Sequence, residues 1–217
     1  MSFFTFRLNK IRITNNREFF PWDKAEVKIL SFVTGDTDFL PSFDGYAEAN
    51  AGDQRKMVEA AAKAAIGRVE LQTVENIRDG QQLFFGDTGI VLYRSMKSIP
   101  VAFDWSLFVY ESDEDKKKIG EFLTSLVNSA TFGGLVDEIV TLAVGTNPAT
   151  LLGVKVGKFV IGEIGNALKK KKWDQIGVLY QSMNKYEHYP NGERKKDDIP
   201  DISGNILVDY SIFATDN

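Results

Sequence analysis

The sequence predicts a mostly β protein, an antiparallel β-sandwich that carries a helical insertion. Short apolar segments separated by Gly-, Asp- and Asn-containing turns occur towards both ends of the chain. A Gly-, Ala- and Leu-rich stretch with helical periodicity lies between them. Short strands joined by turns favour an antiparallel sandwich over a parallel sheet. We therefore expect one sandwich domain over residues 1–217, with a helical hairpin at about 122–172 inserted into it.

The strand segments are identified from alternating apolar residues and from the turns that separate them. Residues 3–14 are predicted to form a strand, with a bulge where the alternation slips. Asp79-Gly80 is typical of the turns that end such segments. Residues 188–203 are strongly charged and are expected to form a loop. The remaining predicted strands are 25–33, 68–76, 82–85, 90–94, 103–110, 176–186 and 205–213.

Helices are expected where the apolar period changes from two to about four residues. The predicted helices are 54–66, 122–144 and 149–170, the last two forming a hairpin at about 122–170. Asp53 is suited to cap the first helix and Gly67 to end it. Asn147-Pro148 breaks the long helical stretch in the middle.

Composition excludes several classes of protein. The net charge is −4, and Lys169–Lys172 is the one strong basic run, so nucleic acid is not an expected partner. The chain has no cysteine, which excludes disulfides, thiolate nucleophiles and cysteine metal sites. Its N-terminal residues do not resemble a secretory signal, and no apolar stretch is long enough for an ordinary membrane span. A cytoplasmic location, or export without an N-terminal signal, is expected.

A group of carboxylates follows the strand predicted at 103–110. Glu111, Asp113 and Asp115 share one side if the chain stays extended. Converging carboxylates repel one another unless cations lie between them, and calcium takes six to eight oxygen ligands in acidic loops. The alternative is a solvated turn whose acids pair with the lysines that follow.

Three segments of the chain resemble the C-two domain, a calcium- and lipid-binding β-sandwich family. The family pattern of an apolar strand, Val-x-Asp-x-Asp, a charged loop and Ile-Gly-Glu is matched by Val109, Glu111, Asp113, Ile119, Gly120 and Glu121. The segment LNKIRITNNREFFPWDKAEVKIL is similar to the family's first strand and first calcium loop, with Asp23 at the position of a ligand. The closing GNILVDYSI is similar to its last strand.

The resemblance implies a calcium site and contact with lipid. Its implied metal ligands are Asp23, Glu111, Asp113 and Asp115. The sequence departs from the family in two places. Arg17 occupies the position of a second aspartate in the first loop. The acidic loop is about two residues short, with Lys117 near the position of its last aspartate.

The second predicted helix of the hairpin has a lysine stripe beside a broad apolar side. We predict that it contacts a membrane surface or a protein partner through Lys155, Lys158, Phe159, Lys169 and Lys170. Charges near its centre oppose a membrane-spanning position. Gly153 and Gly157 would let a neighbouring helix approach closely. Gly133 and Gly134 in the preceding helix are the expected counterparts. The alternative is that the helices bury their apolar sides in the protein.

The search for catalytic residues favours a protein without enzymatic activity. The single histidine, His188, lies in a polar segment, and no nucleophile turn or phosphate loop is present. A pair of carboxylates brought together by folding stays open. We therefore predict a non-enzymatic binding module, calcium-dependent or not, that contacts membrane lipid or a protein. The alternatives are a membrane-active or toxin-like effector that uses the hairpin, and a structural subunit that self-associates through it.

Overall fold

In a computed structural model, the chain forms two compact units. The described residues are 2–16, 24–35, 43–111, 116–143, 148–171 and 174–216. The first unit comprises Met1–Val33, Glu70–Asp113 and Lys171–Asn217, and the second comprises Thr34–Val69 and Glu114–Lys170. The strands make up most of the first unit and the helices belong to the second. The prediction of a single domain over 1–217 stays a prediction.

The first unit is an antiparallel β-sandwich, which confirms the predicted fold class. Its strands are β1 (Phe3–Ile13), β2 (Ala25–Gly35, whose last two residues belong to the second unit), β3 (Glu70–Ile77), β4 (Gln82–Phe84), β5 (Ile90–Ser95), β6 (Ala102–Glu111), β7 (Asp174–Asn184), β8 (Gly192–Pro200) and β9 (Ile206–Thr215). One sheet has the order β4-β1-β9-β8, with β5 also paired to β1. The other has the order β3-β2-β6-β7.

Strand β1 keeps its apolar side chains on one face although their alternation in the sequence is interrupted. Phe4, Phe6 and Leu8 are fully buried, and the buried positions then shift to Ile11 and Ile13. The register with β9 shifts between Leu8 and Lys10, at the same place. A bulge adds one residue and returns the apolar side chains to the inner face. The bulge predicted from the sequence is therefore confirmed.

The core between the two sheets is built from aromatic side chains. The ring of Phe6 lies 4.9 Å from that of Trp105, 5.1 Å from that of Phe103 and 5.7 Å from that of Tyr210. The buried indole Nε1 of Trp105 donates to Ser31 Oγ at 2.9 Å. Each ring buries a large apolar area, and the buried indole N–H needs and has a partner.

A buried carboxylate closes the turn between β8 and β9. Asp201 is 6% exposed and accepts hydrogen bonds from the amides of Val178, Ser203 and Ile206 and from the Ser203 hydroxyl. Burial alone would raise the pKa of Asp201, but the donors around it hold that pKa below its ordinary value. Since Val178 lies in the other sheet, the carboxylate also ties the two sheets together.

The charged segment 188–203 was expected to be a loop, and that expectation is wrong. Strand β8 covers most of it and pairs with β9, for example Arg194 opposite Ile212. Most of its residues are exposed because β8 lies at the edge of its sheet. Edge strands tolerate charged residues and do not need an apolar face, so alternation gives no signal there.

The second unit contains four helices in its described residues. They are α1 (Ala51–Ile66), α2 (Lys116–Leu126), α3 (Ala130–Leu142) and α4 (Ala149–Lys171). The single helix predicted over 122–144 is therefore wrong, because the chain breaks after Leu126 and restarts at Ser129. Ser129 Oγ accepts from the amide of Phe132 at 3.1 Å, which is a helix N-cap. The cap of α1 is Asn50, not Asp53 as predicted.

Charged residues connect α1 and α3 on the surface of the helical unit. Arg55 of α1 donates from Nε to Asp137 of α3 at 2.8 Å and from Nη1 to Glu59 at 3.1 Å. Lys63 completes the network by donating to Glu59 at 2.7 Å. These donors hold the pKa of Glu59 below its ordinary value. The network positions α3, which in turn contacts α4.

Candidate functional site

The predicted contact helix α4 has a buried apolar side and an exposed basic side. Leu152, Val156, Val160 and Ile164 recur every four residues and are fully buried. This spacing is that of one helix face, so burial fixes which side of α4 points away from the solvent. The broad apolar side that the sequence shows is therefore covered in the folded protein.

The five residues predicted on α4 fall into two groups. Lys155 is partly buried and forms an ion pair with Glu138 of α3. Phe159 is also partly buried, with its ring 6.0 Å from that of Phe132. These two side chains hold α4 against α3 by an ion pair and an aromatic contact. The other three, Lys158, Lys169 and Lys170, are exposed.

We call Lys158, Lys169 and Lys170 the lysine surface of α4. Lys158 and Lys169 are about three helical turns apart and therefore project from the same side. None of the three lysines forms an ion pair with a residue in the described ranges of the chain. Between them the helix is nearly flat, because Gly162 and Gly165 have open space where a Cβ atom would lie. A partner can thus approach the backbone of α4 closely on this side.

The two glycines nearest the start of α4 have a different role from the one predicted. A Cβ atom added to Gly153 would lie 2.7 Å from the carbonyl oxygen of Gly35. One added to Gly157 would lie 3.5 Å from Thr34 Oγ1. The glycines therefore admit the end of β2. The expected counterparts in α3, Gly133 and Gly134, have nothing closer than 4.0 Å at the position of a Cβ atom.

The close contact between Gly153 and Gly35 leads to a testable prediction about glycine substitutions in α4. Gly153→Ala is expected to lower the free energy of unfolding by about 1–3 kcal/mol, because the new methyl group overlaps a backbone oxygen that cannot move freely. Gly162→Ala is the matched control and is expected to raise it by up to about 1 kcal/mol through helix propensity alone. Urea unfolding followed by circular dichroism measures both. Equal effects of the two substitutions would contradict the contact with Gly35.

The predicted metal ligands lie mostly outside the described residues. Asp23, Asp113 and Asp115 are not among them. Glu111 is described, at the end of β6 and directly opposite Asp174 of β7. Two carboxylates offer at most four oxygens, fewer than the six to eight that calcium takes. Within the described ranges, no cluster of three or more acidic or histidine side chains could hold a metal ion. The calcium site stays a prediction.

Sequence reasoning missed a second group of cations, on the outer face of the sheet that contains β1. Arg94 of β5 lies there directly opposite Thr5 of β1, and Arg7 is two residues from Thr5 along β1. The available signal was the spacing of Arg7 from Thr5, which places both on the side opposite the buried phenylalanines. The partner strand β5 could not be chosen from the sequence, so the second arginine was not expected beside them.

The fold and these surfaces define a β-sandwich protein with a helical insertion and two basic surfaces. No protein-family model and no curated protein matches the chain. Among solved structures, it is similar to "Structure of Drosophila C2-DSL-EGF1", with 8% sequence identity and a TM-score of 0.39. The match covers 100% of this chain and 68% of that one. A likeness with so low a TM-score carries no argument about family or ligand.

Among the described helices, none is both long enough and apolar enough to cross a membrane. Helix α4 comes nearest in length, at 23 residues, and its charges interrupt the apolar run.

Proposed function

We propose that this protein is a non-enzymatic binding module that contacts an anionic membrane surface through the lysine surface of α4. The observation that carries the proposal is the exposure of Lys158, Lys169 and Lys170 without an acidic partner in the described part of the chain. The net charge of the whole chain is −4, so this basic surface is a local exception. Such an exception attracts this surface of the protein to an anionic membrane.

The expected strength follows from the number of exposed lysines. Each lysine close to an anionic membrane contributes about 1 kcal/mol. Three lysines therefore contribute about 3 kcal/mol, which supports weak and reversible contact. The sequence continues with Lys171 and Lys172, which would add to the attraction. The interaction is expected to weaken at high salt, since the Debye length is only about 10 Å at 0.1 M.

The burial of the apolar side of α4 supports contact at the surface over insertion. An inserting hairpin would first have to expose Leu152, Val156, Val160 and Ile164, which are fully buried. Burying one such side chain is worth about 1.5–3 kcal/mol, so their exposure carries a large cost in free energy. A membrane-active or toxin-like hairpin is therefore the less favoured alternative.

Vesicle co-sedimentation tests the proposal. The protein is expected to sediment with phosphatidylcholine vesicles that contain phosphatidylserine, and not with pure phosphatidylcholine. The variant Lys158→Glu/Lys169→Glu/Lys170→Glu is expected to lose at least about tenfold in partitioning, since six charge units change on one surface. The matched control, Lys56→Glu/Lys97→Glu/Lys195→Glu, reverses three exposed lysines elsewhere and should retain most of the binding.

Two further results of this experiment distinguish the alternatives. Binding that needs calcium, and is lost with EDTA and in Asp113→Asn, would support the site implied by the C-two resemblance in place of the lysine surface. No binding to any vesicle would contradict the membrane proposal. In that case, light scattering of the protein alone, with and without the lysine substitutions, separates self-association from binding to a different protein.

A further inference from the structure

Two arginine residues of the neighbouring strands β1 and β5 lie on the outer face of the first sheet. Arg94 of β5 is directly opposite Thr5 of β1, and Arg7 is two residues further along β1 on the same face. The register of the two strands shifts between Phe6 and Arg7. Diagonal neighbours in a regular ladder have Cα atoms about 7–8 Å apart, and a shift of one residue keeps them within reach of long side chains. The two guanidinium groups can therefore meet above Thr5.

These arginines differ from the other cations on the same face. The others have acidic partners: Lys10 with Asp209 at 2.7 Å, Arg12 with Asp198 at 3.4 Å, and Lys195 with Glu193 at 3.6 Å. Arg7 and Arg94 form no ion pair with any described residue of the chain. Two adjacent guanidinium groups repel each other unless an anion lies between them, so the arrangement favours binding of an anion.

Two buried polar atoms at this position also have no partner among the residues that the structure describes. Thr5 is 1% exposed, and its hydroxyl oxygen makes no hydrogen bond with any described residue. The same holds for the buried Nε of Arg7. Buried polar atoms are normally paired, because desolvation without a hydrogen bond has a cost in free energy. An oxyanion placed here would accept from both.

An aromatic pair borders this group of polar atoms. Phe213 of β9 is directly opposite Thr5, on the side away from Arg94. Its ring lies 5.9 Å from the ring of Phe3, and 39% of the residue is exposed. Exposed aromatic rings beside paired cations fit a ligand that has an apolar group next to its anionic group.

We propose that Arg7, Arg94 and Thr5 form a binding site for a phosphate monoester whose ester group packs against Phe3 and Phe213. A guanidinium fork binds phosphate oxygens through two parallel hydrogen bonds, and two forks match the charge of the dianion. The threonine hydroxyl supplies a third donor. The site belongs to the sandwich unit, includes no residue of α4 and does not rest on the proposed function.

Calorimetric titration at low salt with inorganic phosphate and with phenyl phosphate tests the proposal. Phenyl phosphate is expected to bind more tightly than inorganic phosphate, because only it has an apolar group. Arg7→Gln and Arg94→Gln should each weaken binding by at least about tenfold, since losing even one of a guanidinium's charge-assisted hydrogen bonds has that effect. Arg12→Gln, on the same face but already paired, is the matched control and should bind like the wild-type protein.

Thr5→Val separates a binding role from a structural one. A threonine hydroxyl without a partner destabilises the unliganded protein, so Thr5→Val is expected to raise its unfolding temperature while it weakens phenyl phosphate binding. A lowered unfolding temperature with unchanged affinity would overturn the assignment. Equal binding by wild type, Arg7→Gln and Arg94→Gln would overturn it as well.

Vesicles identify the source of the phosphate group. They contain phosphatidylcholine with phosphatidic acid and are mixed with the variant that lacks the lysine surface, so that α4 does not contribute. Binding that is lost in Arg7→Gln/Arg94→Gln supports a lipid headgroup as the ligand, whereas binding of phenyl phosphate alone supports a soluble ligand. Absence of binding to phosphate, phenyl phosphate and these vesicles overturns the proposal.

Discussion

Phe6→Ala is expected to lower the free energy of unfolding by about 3–5 kcal/mol, the usual cost of removing a buried phenylalanine ring. The ring is fully buried and contacts Phe103 and Trp105 of the opposite sheet as well as Tyr210 of its own. Its loss leaves a cavity at the centre of the sandwich that stiff aromatic neighbours cannot fill. Since whole domains are stable by only about 5–15 kcal/mol, a large fall in the unfolding midpoint should follow.

Urea unfolding monitored by tryptophan fluorescence measures this effect, because Trp105 lies against the substituted side chain. Phe84→Ala is the matched control: Phe84 is 70% exposed, and its removal should change the free energy of unfolding by less than about 0.5 kcal/mol. Similar losses in the two variants would show that the aromatic cluster does not hold the sheets together.

Asp201→Ala is expected to lower the free energy of unfolding by about 3–5 kcal/mol. Each buried amide that donates to Asp201 would lose its acceptor, and each such loss costs about 1–3 kcal/mol. The amides of Val178 and Ile206 are in buried residues, so water replaces the carboxylate only poorly. Asp87→Ala, in an exposed turn, is the matched control and should be nearly neutral.

The contribution of Asp201 should also depend on pH. Its pKa is lower in the folded protein than in the unfolded chain, where an aspartate has a pKa of about 3.9. Its ionisation therefore stabilises the fold above that pH, and this stability is lost as the pH falls through the lower folded value. The difference in unfolding free energy between wild type and Asp201→Asn should narrow on acidification. A difference that stays constant down to low pH would contradict the charged role of Asp201.

The sandwich could be predicted from the sequence because its central strands carry the pattern that burial imposes. Phe4, Phe6 and Leu8 alternate because one face of β1 meets the core, and even the bulge before Ile11 leaves a visible slip. Strand β8 could not be predicted in this way. An edge strand with both faces exposed has no apolar period, and its pairing with β9 depends on backbone hydrogen bonds that any sequence can make.

The helical unit and the two basic surfaces could also be predicted only in part from the sequence. Periodicity identified the apolar and lysine sides of α4, but it did not reveal that Lys155 pairs with Glu138 or that Gly153 contacts Gly35. Those contacts join residues that are distant in the sequence. The pairing of Arg7 with Arg94 likewise depends on the choice of β5 as the neighbour of β1, which local patterns do not determine.

The most direct measurement of membrane contact uses the absence of cysteine from the chain. Asn166→Cys places one thiol on the exposed side of α4, within one turn of Lys169, for an environment-sensitive fluorophore. Phosphatidylserine vesicles should shift its emission to shorter wavelength, while the same label at Thr88→Cys in the sandwich unit should shift much less. An unchanged spectrum at position 166, or the same shift after Lys158, Lys169 and Lys170 are reversed to Glu, would contradict the lysine surface as the site of contact.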